Sequence, residues 1–156
     1  MIKLLSKEVD LERLQSNDVE QYWKKKEDDI GEKIEGRMLA ELIDGFQDFS
    51  GTVLGILFYT RNTFYFQSFP KKSPLLSLLR PGEPLRRDKV LNFYIPWSDV
   101  KKIDFPPEKN SFLKFFLPQN YRIFIDCLYN GNRENLRITM QNRKDRDKLI
   151  GFYKKI

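Results

Sequence analysis

The sequence predicts a mainly β domain: a curved antiparallel sheet or partial barrel of about seven strands, closed by a C-terminal α-helix and preceded by an extra N-terminal helix. Three observations carry that expectation. The chain holds 13 Phe and 7 Tyr and is 14% aromatic, a composition that suits pleated surfaces more than helical bundles. From Ile34 onward the apolar residues fall in short runs separated by Gly, Pro and Asn-Gly punctuation. In residues 142–156 the rhythm changes, and Leu149, Ile150, Phe152, Tyr153 and Ile156 form an apolar stripe at helical spacing.

At 156 residues and 18.7 kDa the chain suits one domain with a core large enough to stand without disulfides or a structural metal. Residues 1–33 are read as a helical extension packing on a domain of residues 34–156. Within the extension, Val19, Tyr22, Trp23 and Lys26 give the rhythm of a helix from Asp18 to Asp29. Asn17 and Glu20 have the spacing of a capping box. Lys24 to Lys26 precede Glu27 to Asp29, against the preference of the helix dipole, so the helix is expected to fray near Gly31.

The strands follow in order. Ile34 to Ile43 is the first, ended by Asp44-Gly45, and Thr52 to Tyr59 is the second. Thr63 to Phe69 is the third, and a two-residue turn at Arg61-Asn62 places Tyr59 beside Phe64 and Leu57 beside Phe66. The opposite face of this hairpin carries Leu54, Ile56, Phe58, Tyr65 and Phe69. Both faces are apolar, so a covering element is expected: the N-terminal helix with Tyr22 and Trp23, or a homodimer partner. Val90 to Ile95 is the fourth strand, Val100 to Phe105 the fifth and Phe112 to Leu117 a sixth, with Asp99 expected to cap the turn after Pro96.

The most secure element is the hairpin Tyr121 to Tyr129, Asn130-Gly131, Asn132 to Met140, because Asn-Gly is the strongest short-range signal for a type I′ turn. Pairing Tyr129 with Asn132 sets Cys127 against Glu134, Ile125 against Leu136, Ile123 against Ile138 and Tyr121 against Met140. Arg122, Asp126, Asn135, Arg137 and Thr139 then share the wet face. In the closing helix, Gly151 costs about 1 kcal/mol of propensity, and close packing is the expected reason for it.

Three segments resemble a known family. Gly51 to Phe69, reading GTVLGILFYTRNTFYFQSF, looks like the hairpin of the GRAM-like and bacterial pleckstrin-homology-like domains. Ile95 to Asp104, reading IPWSDVKKID, is similar to their I-P-x-x-D-I-x-x-I strand and turn, and Leu136 to Phe152 resembles their last strand and closing helix. The resemblance spans residues 34–156 and implies a β-barrel module that binds protein or lipid. In the lipid-binding type, basic residues at the first strand and loop cradle the headgroup. Here Glu41 to Phe49 holds three acids and no base, with only Arg37 near, which departs from the usual phosphoinositide site.

Charge and chemistry narrow the function. The net charge is +6, and residues 1–36 carry seven bases and ten acids, leaving +9 on the remainder. Lys3, Lys7, Glu8 and Asp10 break any leader-like apolar run, and no segment approaches the ~20 apolar residues of a bilayer span. A cytoplasmic location is expected, peripheral to the inner face of the membrane if lipid is the ligand. Histidine is absent and Cys127 is the lone cysteine, expected to be a buried structural thiol. Asp44 with Asp48, and Asp99 with Asp104, are better explained by turns than by paired acid chemistry. The expectation is therefore no enzyme, no cofactor and no metal. Nucleic acid is not expected as a partner either, since no motif of an RNA or DNA module is present.

Pro70 to Lys89 is the candidate binding segment. Lys71, Lys72, Arg80, Arg86, Arg87 and Lys89, against Glu83 and Asp88, surround Leu75, Leu76, Leu78 and Leu79. Cations around an apolar run suit docking of an acidic protein partner, or an anionic membrane surface. The bland reading packs the leucines over the sheet and leaves the charges solvated. Arg143, Lys144, Arg146, Lys148, Lys154 and Lys155 are read as a solubilising helix face, being interspersed with Asp145 and Asp147.

Overall fold

The computed structural model describes residues 17–47, 51–68, 91–106 and 121–156. The chain divides into two compact units, Met1–Ile34 and Glu35–Ile156. In the first, residues 17–30 form helix α1. Asn17 is already helical, so it is not the cap that its spacing with Glu20 suggested. At the helix end Gly31 takes φ +71°, its N–H donates to the Glu27 carbonyl at 2.9 Å, and Glu27 Oε1 accepts from Ile34 N–H at 2.9 Å. Tyr22 and Trp23 meet edge to face at 5.2 Å.

The second unit contains β1 (Gly36–Asp44), β2 (Val53–Tyr59), β3 (Thr63–Ser68), β4 (Asn92–Pro96), a 3₁₀ turn (Trp97–Asp99), β5 (Val100–Asp104), β6 (Tyr121–Tyr129), β7 (Asn132–Met140) and helix α2 (Arg143–Lys155). They form one seven-stranded antiparallel sheet in the order β4-β3-β2-β1-β7-β6-β5. The mainly β architecture and both helices agree with the sequence reading. The β6–β7 register pairs Tyr129 with Asn132, Cys127 with Glu134 and Tyr121 with Met140, as the Asn-Gly turn requires, and β2–β3 pairs Tyr59 with Phe64 and Leu57 with Phe66. The first strand begins at Gly36 rather than Ile34. The strand expected at Phe112 to Leu117 lies outside the described residues. The turn before β5 makes no side-chain cap bond, so Asp99 does not cap it. Trp97 anchors that turn instead, its indole N–H donating to the Thr60 carbonyl at 3.0 Å and its backbone N–H to the Asn62 carbonyl at 2.9 Å.

The sheet curls on itself. β4 and β6 are separated by five strand intervals, about 24 Å in a flat sheet at ~4.8 Å per strand. Yet Phe93 of β4 and Tyr129 of β6 have ring centroids 6.2 Å apart. The inward residues of all seven strands therefore face one core, with Leu57, Phe64, Ile95, Ile123, Ile125, Leu136 and Ile138 at 0–1% exposure. α2 closes one end. Asn142 caps it, accepting from Asp145 N–H at 2.8 Å, and Leu149 and Ile150 enter the core. Phe152 lies 4.7 Å from Tyr59 and 6.0 Å from Trp97. A side chain at Gly36 would collide with the Tyr59 phenol, so this end depends on that glycine. On the outer face Leu54 and Phe58 are buried, and Phe58 stacks on Tyr65 at 4.7 Å.

Candidate functional site

The end of the sheet opposite the Tyr59–Phe152 contact collects the β1–β2 turn, the β6–β7 turn and the two strand ends that carry the candidate segment. Gly45 begins the first turn at φ +91°, and a side chain there would collide with the Asn135 carbonyl of β7. This close approach aims Phe46 inward. Phe46 stacks on Phe93 at 4.2 Å and meets Tyr129 edge to face at 4.8 Å, so it plugs the space between β4 and β6. Gln47, at φ 49°, donates its N–H to Glu134 Oε2 at 3.1 Å. Asn130 at φ 49° and Gly131 at φ 81° supply the two left-handed residues of a type I′ turn.

Lys71, Lys72, Leu75, Leu76, Leu78, Leu79, Arg80, Arg86, Arg87 and Lys89 lie outside the described residues. Their two anchors are described. Ser68 N–H donates to the Leu91 carbonyl at 2.9 Å, and Leu91 N–H donates to Ser68 Oγ at 2.8 Å. Both residues are buried, at 3% and 8% exposure, and they continue the β3–β4 ladder. The candidate segment thus leaves and re-enters the fold at one clamped pair.

Two described arginines at this end are paired. Arg137 meets Asp44 at 3.3 Å, and Arg133 bonds Asp126 through both guanidinium nitrogens facing it, at 2.6 and 3.0 Å. That hydrogen-bonded guanidinium holds the Asp126 carboxyl below the usual carboxylate range. Arg37 belongs to the opposite end of β1, about 23 Å from Asp44 at ~3.3 Å per residue. The described part of the first strand and turn therefore presents no free cation for a headgroup, in line with its acidic sequence.

Chemistry is sparse elsewhere too. Cys127 is fully buried, its Sγ lies 3.8 Å from the Glu134 carbonyl, and burial, reinforced by Glu134, Asp126 and Asp99, pushes its thiol up to about 12. Asp104 pairs with Lys102 at 2.8 Å. No group of three or more His, Cys, Asp or Glu among the described residues could hold a metal ion. No helix among them is long and apolar enough to cross a membrane.

One member of the basic helix face is misassigned by sequence. Arg146 is buried at 6% exposure, with its guanidinium 5.0 Å from the Phe105 ring centre and 5.7 Å from that of Tyr121, and it contacts Asp147 at 3.2 Å. Arg143, Lys144, Lys148, Lys154 and Lys155 remain exposed. The inward turn of Phe46 and the Ser68–Leu91 clamp also went unseen. A Gly-Phe pair after an acidic strand end is their only sequence trace.

No protein-family model matches the chain, and no curated protein matches it. Solved structures share the fold. The C-terminal domain of an unknown protein from Leishmania infantum superposes with a TM-score of 0.51 at 16% identity, covering 86% of this chain and 97% of that one. The hSac2 domain from human phosphoinositide phosphatase Sac2 gives a TM-score of 0.50 at 19% identity, covering 92% of this chain and 79% of that one.

Proposed function

We propose that the chain is a noncatalytic binding module of pleckstrin-homology-like type that recognises a protein partner through residues 70–89. The observation that carries this reading is the Ser68–Leu91 clamp, which fixes both ends of a basic and apolar segment to a rigid sheet edge. Binding elements work best when a stiff scaffold supports them. Arg137 and Arg133 at the same end are paired with Asp44 and Asp126, so this reading assigns the charge for recognition to Lys71, Lys72, Arg80, Arg86, Arg87 and Lys89. Leu75, Leu76, Leu78 and Leu79 supply the apolar anchor. The matching partner is an acidic segment with exposed aliphatic side chains.

A second reading, a peripheral membrane module on anionic lipid or phosphoinositide headgroups, draws support from the likeness to a domain of a phosphoinositide phosphatase. Salt separates the two, because headgroup attraction among exposed charges weakens within a Debye length of about 8 Å at physiological ionic strength. The experiment measures binding to acidic amphipathic peptides and to phosphoinositide-containing liposomes, for the full chain, a Leu75→Ser/Leu79→Ser variant and an Arg86→Glu/Arg87→Glu variant. Peptide binding that survives moderate salt and is lost in the leucine variant supports protein recognition. Liposome binding that is lost in the arginine variant, without peptide binding, selects the membrane module. Binding to neither overturns both.

A further inference from the structure

Among the described residues the sheet has two end strands, β4 and β5, and they are built differently. β5 carries the exposed Lys101 and Lys102, and its register with β6 is broken by a shift between Val100 and Lys102. Charge and irregularity are the usual guards against pairing with another chain. β4 reads Asn92-Phe93-Tyr94-Ile95-Pro96, with no charge and an unbroken register against β3. Its hydrogen-bonding groups can be assigned. Ser68 N–H bonds the Leu91 carbonyl and Trp97 N–H bonds the Asn62 carbonyl, so the alternation of an antiparallel ladder commits residues 91, 93, 95 and 97 to β3. The N–H groups of Asn92 and Tyr94, and the carbonyls of Asn92, Tyr94 and Pro96, point to the outer edge.

The side chains lead to the same place. Phe58, Tyr65 and Tyr94 are cross-strand partners on the outer face. Phe58 and Tyr65 are parallel within 2° at 4.7 Å, Tyr65 and Tyr94 are 6.0 Å apart, and Tyr94, the last ring of the row, is 62% exposed.

We propose that β4 is a homodimerisation edge, at which a second copy of this chain pairs antiparallel about a two-fold axis at Tyr94. In that register Tyr94 exchanges both backbone bonds with Tyr94 of the second copy, and each Asn92 N–H meets the Pro96 carbonyl opposite it. The aromatic row continues from one molecule into the next. The strand suits its own copy because a two-fold axis sets its residues against one another, and β4 has no charge to be repelled. The same operation on β5 would set Lys101 and Lys102 against themselves. Since residues 37–156 carry +9, the two bodies repel at low salt, and the dimer strengthens as salt rises. Binding to anionic lipid through exposed charges has the opposite dependence.

Sedimentation of the full chain over a range of concentration and salt tests the assignment. The expected result is a species of twice the 18.7 kDa chain mass that accumulates with concentration and salt. Tyr94→Lys loses it while keeping the circular dichroism of the folded chain, and Lys102→Ala retains it. Tyr94→Cys cross-links two copies on mild oxidation, because a hydrogen-bonded antiparallel pair has Cα atoms about 5.5 Å apart, within disulfide range. The buried Cys127 does not contribute. A chain that stays monomeric throughout, or a dimer that survives Tyr94→Lys, overturns the assignment.

Discussion

Phe46 lies flat on Phe93, with ring centroids 4.2 Å apart and planes 12° from parallel. Phe46 follows β1, the central strand of the order, and Phe93 lies on the terminal strand β4 three strands away, so their contact exists only because the sheet curls. Phe46 is 3% exposed and also touches Tyr129. Phe46→Ala is expected to cost about 3–5 kcal/mol, the range for removing a buried phenyl group into an incompletely collapsed cavity. Phe46→Leu should recover more than half of that loss. Urea denaturation measures both, and a change under about 1 kcal/mol for Phe46→Ala would show that the turn does not close this end.

How far the sequence disclosed the molecule follows from what each feature depends on. The β6–β7 hairpin was legible to the residue because its turn chemistry and its period-two alternation are local and agree with each other. The β2–β3 register was legible for the same reason. Phe46, the Ser68–Leu91 clamp and the buried Arg146 were not, because each is defined by partners distant in sequence that the curl brings together. Arg146 shows the difficulty plainly: its neighbours Arg143 and Lys144 have the same charge and sit in solvent, and nothing local separates it from them. For the candidate site, composition picked out residues 70–89, while the structure contributes the anchoring pair and the paired state of Arg133 and Arg137.

That buried guanidinium gives a second prediction. Arg146 stands against the rings of Phe105 and Tyr121, where a planar delocalised cation contacts aromatic surface that an ammonium does not match. Arg146→Lys is expected to cost about 1 kcal/mol and Arg146→Ala about 2–3 kcal/mol, since alanine also loses the packing of the aliphatic stem. At this chain length each kcal/mol moves the melting temperature by about 2–4 °C. Equal melting temperatures for the lysine variant and the parent would mean that charge alone matters at this position.

Two buried acids of raised pKa are expected to set the alkaline limit of the fold. Burial pushes the Cys127 thiol from 9.0 to about 12, and burial with the nearby Glu35 and Asp145 pushes the Tyr59 phenol from 10.0 to about 12. Both are raised in the folded state, so their contribution is fully present below the unfolded values and is lost as pH climbs toward 12. Stability is expected to hold to about pH 9 and then to fall by about 1.4 kcal/mol per pH unit for each group that has passed its unfolded pKa. In Cys127→Ala the decline should begin about one unit later, whatever the variant's absolute stability. Tyr59 Oη is buried with no hydrogen-bond partner, so Tyr59→Phe should be neutral or stabilising near pH 7 and should remove the second step. Urea midpoints from pH 7 to 11 decide this, and an unchanged profile in the double variant would assign the alkaline loss to other groups.

Gly151 stands in the interior of α2, between the core residues Leu149 and Ile150 on one side and Phe152 and Tyr153 on the other. Close packing was the expected reason for a glycine there, and the structure removes it: a Cβ at Gly151 would meet nothing within 4 Å. Its backbone is helical, so alanine adopts the same conformation without strain and loses less conformational entropy on folding. Gly151→Ala is therefore expected to stabilise the chain by about 0.5–1 kcal/mol, raising the melting temperature by about 1–4 °C. Gly36→Ala is the internal contrast, because the same added methyl group there collides with the Tyr59 phenol and should destabilise. If Gly151→Ala also destabilised, an approaching surface would have to occupy the open space beside α2. A melting temperature that depended on protein concentration in the parent, and not in Gly151→Ala, would identify that surface as a second copy.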